Sequence, residues 1–238
     1  MNNLHFITYA THSEGTFEDL IKNKENIPIK VLGWGEKWNG FMDKFINVYA
    51  YIQTLPDDDI IIFIDGFDSK INQPIDVIKK TFYEFNSNIV LSTQDYIPFI
   101  GQKKIFGTCQ NDLIANSGLY AGYNKDIKNL LKYILDRNYS DDDQTNLNEA
   151  CQYIDNIVLD NKKKLFNNQS YYDRYFNNNS DSCFISTPGD LSFNRIKRVP
   201  KEYLPFIWKE TIAIIIFIIF IIYIYKNKDK LIKAIKIK

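Results

Sequence analysis

Two aspartates, Asp65 and Asp68, stand directly after a short run of apolar residues. The run Ile60–Ile64 is mostly β-branched, which is typical of a strand that is covered on both faces. Gly66 lets the chain turn sharply just past this strand, where open α/β sheets bind their ligands. Two carboxylates at this spacing can hold one Mg²⁺ or Mn²⁺ ion that is shared with a diphosphate. The alternative is a solvated turn, in which Asp and Gly are common.

A tryptophan-containing loop and a lysine precede this strand in the sequence. The loop over residues 33–40 contains several glycines, but it lacks the spacing of a dinucleotide-binding fingerprint. Trp34 or Trp38 is able to stack on a nucleobase, although tryptophans in such loops more often pack beneath the loop. Lys44, at the start of the next helix, is able to meet a phosphate, whereas most such lysines are only solvated. By themselves these residues do not define a nucleotide site.

An acidic run over residues 141–143 is a second candidate for chemistry. Acidic residues favour helix N-termini, so Asp141, Asp142 and Asp143 also have an ordinary structural explanation. The run precedes Gln144 and a helix in the second half of the predicted sheet, where a carboxylate can act as a base or orient an acceptor. We interpret His5, inside a predicted strand, as a packed side chain. The sequence shows neither a Ser-His-Asp nor a Cys-His arrangement.

Composition excludes some functions and leaves others open. The 238 residues carry 29 basic and 29 acidic side chains, so the overall charge gives no reason to expect a nucleic-acid partner. Cys109, Cys151 and Cys183 are far apart in the sequence. They predict neither a zinc site nor a disulfide framework, and they indicate a reducing compartment. The N-terminus lacks the pattern of a signal peptide.

Strands and helices alternate four times in the first half of the chain, which predicts a parallel sheet with helices on both faces. The predicted strands are 4–10, 29–32, 60–64, 88–92, 119–123, 157–159, 165–166 and 183–185. The predicted helices include 43–55, 76–85, 126–137 and one that ends near residue 153.

The C-terminal part of the sequence has a different character. An unbroken apolar run over residues 212–225 is flanked by lysines and by interfacial aromatic residues, and a basic tail follows it. We predict a transmembrane helix over 211–225, after a connecting segment over 191–210 and before the tail over 226–238. As a helix the run spans about 20 Å, less than the roughly 30 Å of the hydrocarbon core. A buried core helix is the alternative. The expected location is a C-terminal membrane anchor with a cytosolic catalytic domain.

Six short motifs occur in a fixed order along residues 4–189. They are Thr8-Tyr9-Ala10-Thr11, the Leu-Gly-x-Gly-x-x-Trp of residues 32–38, Phe63-Ile64-Asp65-Gly66-Phe67-Asp68, Ser117-Gly118-Leu119-Tyr120-Ala121-Gly122-Tyr123, Asp141-Asp142-Asp143-Gln144 and Leu165-Phe166-Asn167-Asn168. Together they resemble the glycosyltransferase domain of procollagen lysyl hydroxylases, which also occurs as stand-alone proteins in large DNA viruses. The ordered set is far more specific than any one motif.

The resemblance implies an α/β protein with a GT-A, Rossmann-like fold over 1–190. It also implies a UDP-glucose or UDP-galactose donor, a Mn²⁺ or Mg²⁺ ion and a hydroxyl acceptor on a protein or glycan, such as hydroxylysine or its galactosylated form. In a viral protein the anchor would lie in a host or virion membrane. The residues that the resemblance assigns are Asp65 and Asp68 to the metal, Thr8, Trp38, Lys44 and Phe67 to the donor, and Asp142 and Asp143 to catalysis.

One departure from the family pattern concerns the metal. The family has a His-x-Asn-Gly segment whose histidine is a third metal ligand, whereas this chain reads Ser186-Thr187-Pro188-Gly189. We therefore expect weak metal binding in the absence of nucleotide. A catalytically weakened or inactive membrane-anchored homologue that keeps only the fold is the alternative function. A Mg²⁺-dependent phosphohydrolase that uses Asp65 would need an Asp-x-Asp motif with a nearby Thr or Val, a pattern that the sequence does not offer at Asp65.

Overall fold

The computed structural model describes residues 2–94, 101–169, 180–188, 208–209 and 211–227. The chain divides into two compact units. The first comprises Met1–Ile97 and Gln102–Asp190, and the second comprises Pro98–Gly101 and Leu191–Lys238. All strands described below belong to the first unit. The predicted connecting segment and basic tail fall almost entirely outside the described residues.

Two sheets form the framework of the first unit. In chain order the strands are β1 (Leu4–Tyr9), β2 (Ile29–Leu32), β3 (Ile60–Ile64), β4 (Ser69–Ile71), β5 (Ile89–Gln94), β6 (Ile114–Tyr123), β7 (Ile157–Asp160), β8 (Phe166–Asn168) and β9 (Phe184–Ser186). The six-stranded sheet has the order β2-β1-β3-β6-β5-β7, and the three-stranded sheet has the order β4-β9-β8. The prediction of an α/β, Rossmann-like sheet is confirmed.

The large sheet is mixed rather than wholly parallel. Strand β1 pairs in parallel with β2 and β3, and β5 pairs in parallel with β7. Strand β6 lies between β3 and β5 and is antiparallel to both, with Ile62 opposite Ala121. The four strands predicted first, now β1, β2, β3 and β5, therefore all point the same way, as expected. Strand β6 is the exception, and it begins at Ile114 rather than at the predicted residue 119.

Helices cover both faces of the large sheet, as the alternating pattern predicted. They are α1 (Phe17–Ile21), α2 (Asp43–Ile52), α3 (Ile75–Glu84), α4 (Gln102–Phe106), α5 (Asn124–Arg137) and α6 (Asp143–Ala150). Successive residues of β3 alternate between two apolar cores because side chains of a strand point to opposite faces. Ile61 and Phe63 belong to a core with α2, α5 and α6, and Ile62 belongs to a core with α1, α3 and the small sheet.

The small sheet brings a distant segment beside the aspartate turn. Strand β4 begins immediately after Asp68 and pairs with β9, so that Ser69 lies opposite Ser186. Strand β9 also pairs in parallel with β8. The predicted strands 165–166 and 183–185 are confirmed with shifts of one residue or more, whereas β4 was not predicted. Three residues give too little pattern for a prediction, and pairing with β9 defines this strand.

The cysteines contradict the expectation from the sequence. Cys109 and Cys151 form a disulfide across a sequence separation of 42 residues, with their Cα atoms 5.3 Å apart. That spacing lies within the usual range for a disulfide. Cys183 is free and buried. The interpretation of all three cysteines as unpaired thiols of a reducing compartment was therefore wrong, because the fold joins two residues that no local spacing connects.

Residues 211–227 of the second unit are helical, and the large apolar side chains over 212–225 are exposed. Among the residues that the structure describes, no helix combines the length and apolar character needed to cross a membrane. A transmembrane helix takes about 20 consecutive, mostly apolar residues, and the predicted segment 211–225 is shorter than that. The prediction of a transmembrane helix at this position is therefore not supported.

Candidate active site

Polar side chains gather at one edge of the large sheet, where β1, β3 and β5 end. Because β6 runs in the opposite direction, its beginning lies at this same edge. The backbone N–H of Asp65 donates to the carbonyl of Gly118 over 2.8 Å, which places the aspartate turn beside β6. The edge thus brings together the ends of the parallel strands β3 and β5 and the first half of the antiparallel strand β6.

Asp65 lies half-buried at this edge beside a second carboxylate. Its Oδ1 accepts a hydrogen bond of 3.0 Å from the backbone N–H of Phe67. Burial and the neighbouring Asp68 raise the pKa of Asp65 to about 7, and the ammonium of Lys44 opposes that shift. Burial and a like charge both disfavour the ionised carboxylate, so Asp65 carries a charge that its surroundings only partly compensate. A divalent cation would compensate it.

Asp68 is held by two hydroxyl groups. Its Oδ1 accepts hydrogen bonds from Ser69 Oγ at 3.1 Å and from Ser186 Oγ at 2.9 Å. The backbone N–H of Thr187 donates to the carbonyl oxygen of Asp68 over 2.8 Å. Ser186, the residue at which the sequence departs from the family pattern, therefore contacts a predicted metal ligand directly. Its assignment to the ligand position of the family stays a prediction.

Lys44, Ser117 and Asp143 form a buried ion-paired cluster. Lys44 Nζ pairs with Asp143 Oδ2 and donates to Ser117 Oγ over 3.1 Å. Ser117 Oγ in turn donates to Asp143 Oδ2 over 2.6 Å. Burial lowers the pKa of Lys44, but the carboxylates of Asp143 and Asp65 outweigh it and the net pKa is raised. Asp143 thus contacts Lys44 rather than open solvent.

Asp142 occupies a different environment from Asp143. It is the N-cap of α6, and its Oδ1 accepts hydrogen bonds of 2.7 Å from both the backbone N–H and the hydroxyl of Thr145. Such a cap also explains why an acidic residue stands at the start of this helix. Burial and the neighbouring Asp143 raise the pKa of Asp142. The two adjacent aspartates therefore differ: Asp143 is paired with an ammonium, whereas Asp142 is half-buried and pairs with no ammonium in the part of the chain that the structure describes.

Side-chain amides complete this edge. Gln144 belongs to one of the six motifs, whereas Gln94 and Asn116 were not predicted from the sequence. Asn116 Nδ2 donates to Gln94 Oε1 at 3.0 Å and to Gln144 Oε1 at 3.2 Å. Asn116 Oδ1 accepts from the backbone N–H of Gly118 over 2.8 Å. A Cβ at Gly118 would lie 3.0 Å from that oxygen and 3.4 Å from Cβ of Asp65. The sequence contained one indication of these residues. Three consecutive small or polar residues, 116–118, interrupt a strand that is otherwise mostly apolar.

The remaining predicted donor residues lie in the loops around this edge. Trp38 is 44% exposed and packs against Tyr9 and Phe41, with ring centroids 5.9 and 5.7 Å away. The ring of Phe67 contacts His12 at 5.5 Å. Thr8 is buried beneath the aspartate turn, and its Oγ1 makes no hydrogen bond to any residue that the structure describes. Their assignment to a nucleotide stays a prediction.

The donor set at the aspartate turn suits a hard cation but is small. Asp65 and Asp68 offer carboxylate oxygens, which Mg²⁺ and Mn²⁺ prefer. Within the described ranges, no group of three or more His, Cys, Asp or Glu side chains is placed to hold a metal ion. The residues therefore fit an ion that takes the rest of its ligands from substrate and water. Mg²⁺ in particular usually binds with only one or two carboxylates.

Asp65→Asn is expected to stabilise the metal-free protein at pH 8. The ordinary pKa of the carboxyl is 3.8 and the folded value is about 7. Between these values the folded protein binds a proton that the unfolded chain has released, so stability from this group is lost as the pH rises. The asparagine does not ionise. The melting temperature of Asp65→Asn should exceed that of the wild type by an amount that grows from pH 5 to pH 8. At pH 8 the difference should be at least ~2–4 °C, the shift that corresponds to about 1 kcal/mol in a domain of this size.

Thermal unfolding in the presence of a chelator measures this difference. Asp58→Asn, at an exposed aspartate that precedes β3, is the matched control and should change the melting temperature equally at both pH values. A difference for Asp65→Asn that does not vary with pH would contradict the raised pKa of Asp65.

The fold and the site define an α/β protein in which one edge of the large sheet carries two carboxylates, a buried lysine and several amides. A family model described as PLOD GT domain matches residues 1–179 of this chain. The chain therefore belongs to this family, the glycosyltransferase domain of the procollagen lysine hydroxylases.

One relative shows the extent of the likeness. The chain is 27% identical over 193 residues to a multifunctional procollagen lysine hydroxylase and glycosyltransferase of Caenorhabditis elegans. The alignment covers 68% of this chain and 25% of that protein. The chain thus spans a quarter of the length of this relative.

Proposed function

We propose that this domain transfers glucose or galactose from a UDP-sugar to a hydroxyl acceptor on a protein or glycan, such as hydroxylysine or its galactosylated form. Membership of the glycosyltransferase family supports the transferase class. The observation that carries the proposal is the charge balance at the sheet edge. Lys44 is ion-paired with Asp143, and within the described ranges neither Asp65 nor Asp68 forms an ion pair with a basic side chain. This is the place for a divalent ion that accompanies a diphosphate.

In this proposal Asp65 and Asp68 hold Mn²⁺ or Mg²⁺, and Trp38, Lys44, Phe67 and Thr8 belong to the donor side. When bound, the ion supplies positive charge to the diphosphate that leaves the sugar. Lys44 contributes a second positive charge, and its raised pKa keeps it protonated at neutral pH. Ser69 and Ser186 orient the carboxylate of Asp68 through their hydroxyl groups.

The two catalytic aspartates have separate functions in this proposal. Asp142 is the base or orienting group for the acceptor hydroxyl, because it is half-buried and its pKa is raised towards neutrality. Asp143 instead holds Lys44 and Ser117 in place. The resemblance assigned both residues to catalysis, and in our proposal only Asp142 acts on the acceptor.

Asp142→Asn is the experiment that tests the proposal. The variant should keep the UDP affinity of the wild type, because Asp142 lies on the acceptor side. It should lower transfer at least ~10²-fold, the lower range for loss of an acid–base group. The measurement is transfer and UDP-sugar hydrolysis with UDP-glucose and UDP-galactose, in the presence and absence of Mn²⁺. Equal losses of UDP affinity and transfer would place Asp142 in the donor pocket instead.

A catalytically weakened homologue is the second candidate, and Ser186 favours it. A serine hydroxyl is a poorer ligand for Mn²⁺ than an imidazole nitrogen. Ser186 lies at hydrogen-bond distance from Asp68, where a third ligand would be expected. In this case the domain keeps its fold and nucleotide site, and turnover is low or requires a high metal concentration.

Ser186→His is expected to tighten binding of Mn²⁺ in the absence of nucleotide. The gain should be about 10–100-fold, the range that even supporting groups contribute to metal sites. Calorimetric titration with Mn²⁺ measures it. Because Pro188 restrains the loop, the same substitution is also made together with Pro188→Asn. If neither variant changes Mn²⁺ affinity, residue 186 is not at a ligand position.

A further inference from the structure

The Cys109–Cys151 disulfide joins two segments that both lead to the candidate active site. Cys109 precedes β6, and a 3₁₀ turn, Gln110–Asp112, separates the two. Cys151 is the C-cap residue of α6, the helix that begins beside Asp142. Both cysteines are buried. The helix α6 packs along β6, and we call this contact the seam. The disulfide lies at one end of the seam, and the predicted catalytic residues lie at its other end.

The seam between β6 and α6 consists of side-chain amides bonded to backbone. Asn148 of α6 accepts from the backbone N–H of Ala115 at 2.8 Å and donates to its carbonyl at 3.0 Å. One residue further along β6, Asn116 bonds to Gln144 on the preceding turn of the same helix. These bonds put Ser117 and Asp143 within reach of each other and of Lys44. A shift of α6 along β6 would separate them.

Hydrogen bonds also join the segment before β6 to α6 and the residues that follow it. Thr145 Oγ1 lies 3.4 Å from the carbonyl oxygen of Ile105, and Gln152 Nε2 donates to the carbonyl of Thr108 at 2.7 Å. Gly107 and two residues of the 3₁₀ turn have positive φ, a backbone conformation that few side chains favour. The disulfide adds a covalent attachment between this segment and the end of α6.

We propose that the Cys109–Cys151 disulfide is a redox-sensitive clamp that holds α6 against the start of β6 and so positions Asp142 and the Lys44–Asp143 pair. The inference rests on the proposed function only for its activity measurement. Reduction requires a dithiol: one thiolate of the reductant attacks a cysteine sulfur and forms a mixed disulfide. Its second thiol then closes the disulfide of the reductant, leaving Cys109 and Cys151 as two thiols. Oxidised glutathione reverses the exchange and is reduced in turn.

The experiment compares the oxidised protein with the same protein after incubation with dithiothreitol. Alkylation and mass spectrometry count the thiols, and hydrogen exchange reports the opening of residues 102–113 and 143–151. The expected result is one reactive thiol under denaturing conditions before reduction and three after it, with faster exchange in both segments. Transfer should fall about 10- to 100-fold, the scale for a misplaced catalytic group, and recover with oxidised glutathione.

Single substitutions separate the clamp from a general effect of reductant. Cys109→Ser and Cys151→Ser should show the exchange pattern and low transfer of the reduced protein, and dithiothreitol should change neither. Cys183→Ser, at the free buried cysteine, is the matched control and should keep the full response. The reduced wild type provides the same information if a serine variant fails to fold.

The outcomes distinguish the clamp from the proposed function. Unchanged exchange and transfer after confirmed reduction would overturn the clamp, as would three free thiols in protein prepared without reductant. A protein that transfers no sugar in either state, but whose exchange in residues 143–151 rises on reduction, would retain the clamp and lose the transferase proposal.

Discussion

Asp65→Ala and Asp68→Ala are each expected to abolish Mn²⁺-dependent binding of UDP while the domain stays folded. The two carboxylates are the only side chains in our proposal that bind the ion directly, so either substitution halves the protein ligands. Loss of groups that merely support a metal site already costs about 10–100-fold in affinity, and loss of a ligand should cost more than that. Calorimetric titration of UDP into each variant, with Mn²⁺ and with chelator, measures the effect.

Two controls accompany these variants. Residual UDP binding in chelator should be the same in the variants and the wild type, since Trp38 and Lys44 do not depend on the aspartates. Asp58→Ala, an exposed aspartate at the beginning of β3 rather than its end, should leave binding unchanged. If both site variants bind UDP in Mn²⁺ as tightly as the wild type, the donor does not bind at the aspartate turn.

Lys44→Met is expected to give the largest loss of stability. The substitution keeps an apolar side chain of similar length but leaves the carboxylate of Asp143 buried without its ammonium partner. Removing one partner of a buried pair typically costs 3–5 kcal/mol, because the remaining charge is uncompensated. At about 2–4 °C per kcal/mol for a domain of this size, the melting temperature should fall by roughly 6–20 °C. Thermal unfolding followed by circular dichroism measures the change.

A second substitution separates the charge effect from the lost packing of the lysine. Lys44→Met combined with Asp143→Asn removes both charges, so the double variant should recover much of the stability that the single variant loses. Lys80→Met on the exposed surface of α3 should leave the melting temperature nearly unchanged. A single variant that is as stable as Lys80→Met would show that the pair does not stabilise the fold.

The aspartate turn was predictable because local sequence alone defines it. Strand β3 is buried along its whole length, so its residues read as an unbroken apolar run, and the break at Asp65 marks its end. Strand β6 was only half predicted. Its first half contains Asn116, Ser117 and Gly118, which local propensity assigns to a loop, and pairing with β3 and β5 makes it a strand. Pairing between strands that are distant in the sequence leaves no periodic pattern of apolar residues from which the first half of β6 could be predicted.

The site was predicted as a set of residues but not as a set of interactions. The family resemblance named Lys44, Asp142 and Asp143, and the structure places all three in one electrostatic neighbourhood. Asp142 caps α6, whereas Asp143 contacts Lys44 of α2 and Ser117 of β6. These contacts join three distant segments, and no motif contains them. The disulfide was missed for a similar reason, since only the fold brings Cys109 to Cys151.

The small sheet has a consequence for where this domain ends. The family match stops at residue 179, yet β9 (Phe184–Ser186) is the central strand of the β4-β9-β8 sheet. Cutting the chain at the end of the match would leave β4 and β8 unpaired and would take one of its two hydroxyl partners from Asp68. The smallest autonomous unit must therefore extend at least to Thr187, whose N–H bonds to the backbone of Asp68. A domain boundary drawn from sequence similarity alone would divide the aspartate turn from its support.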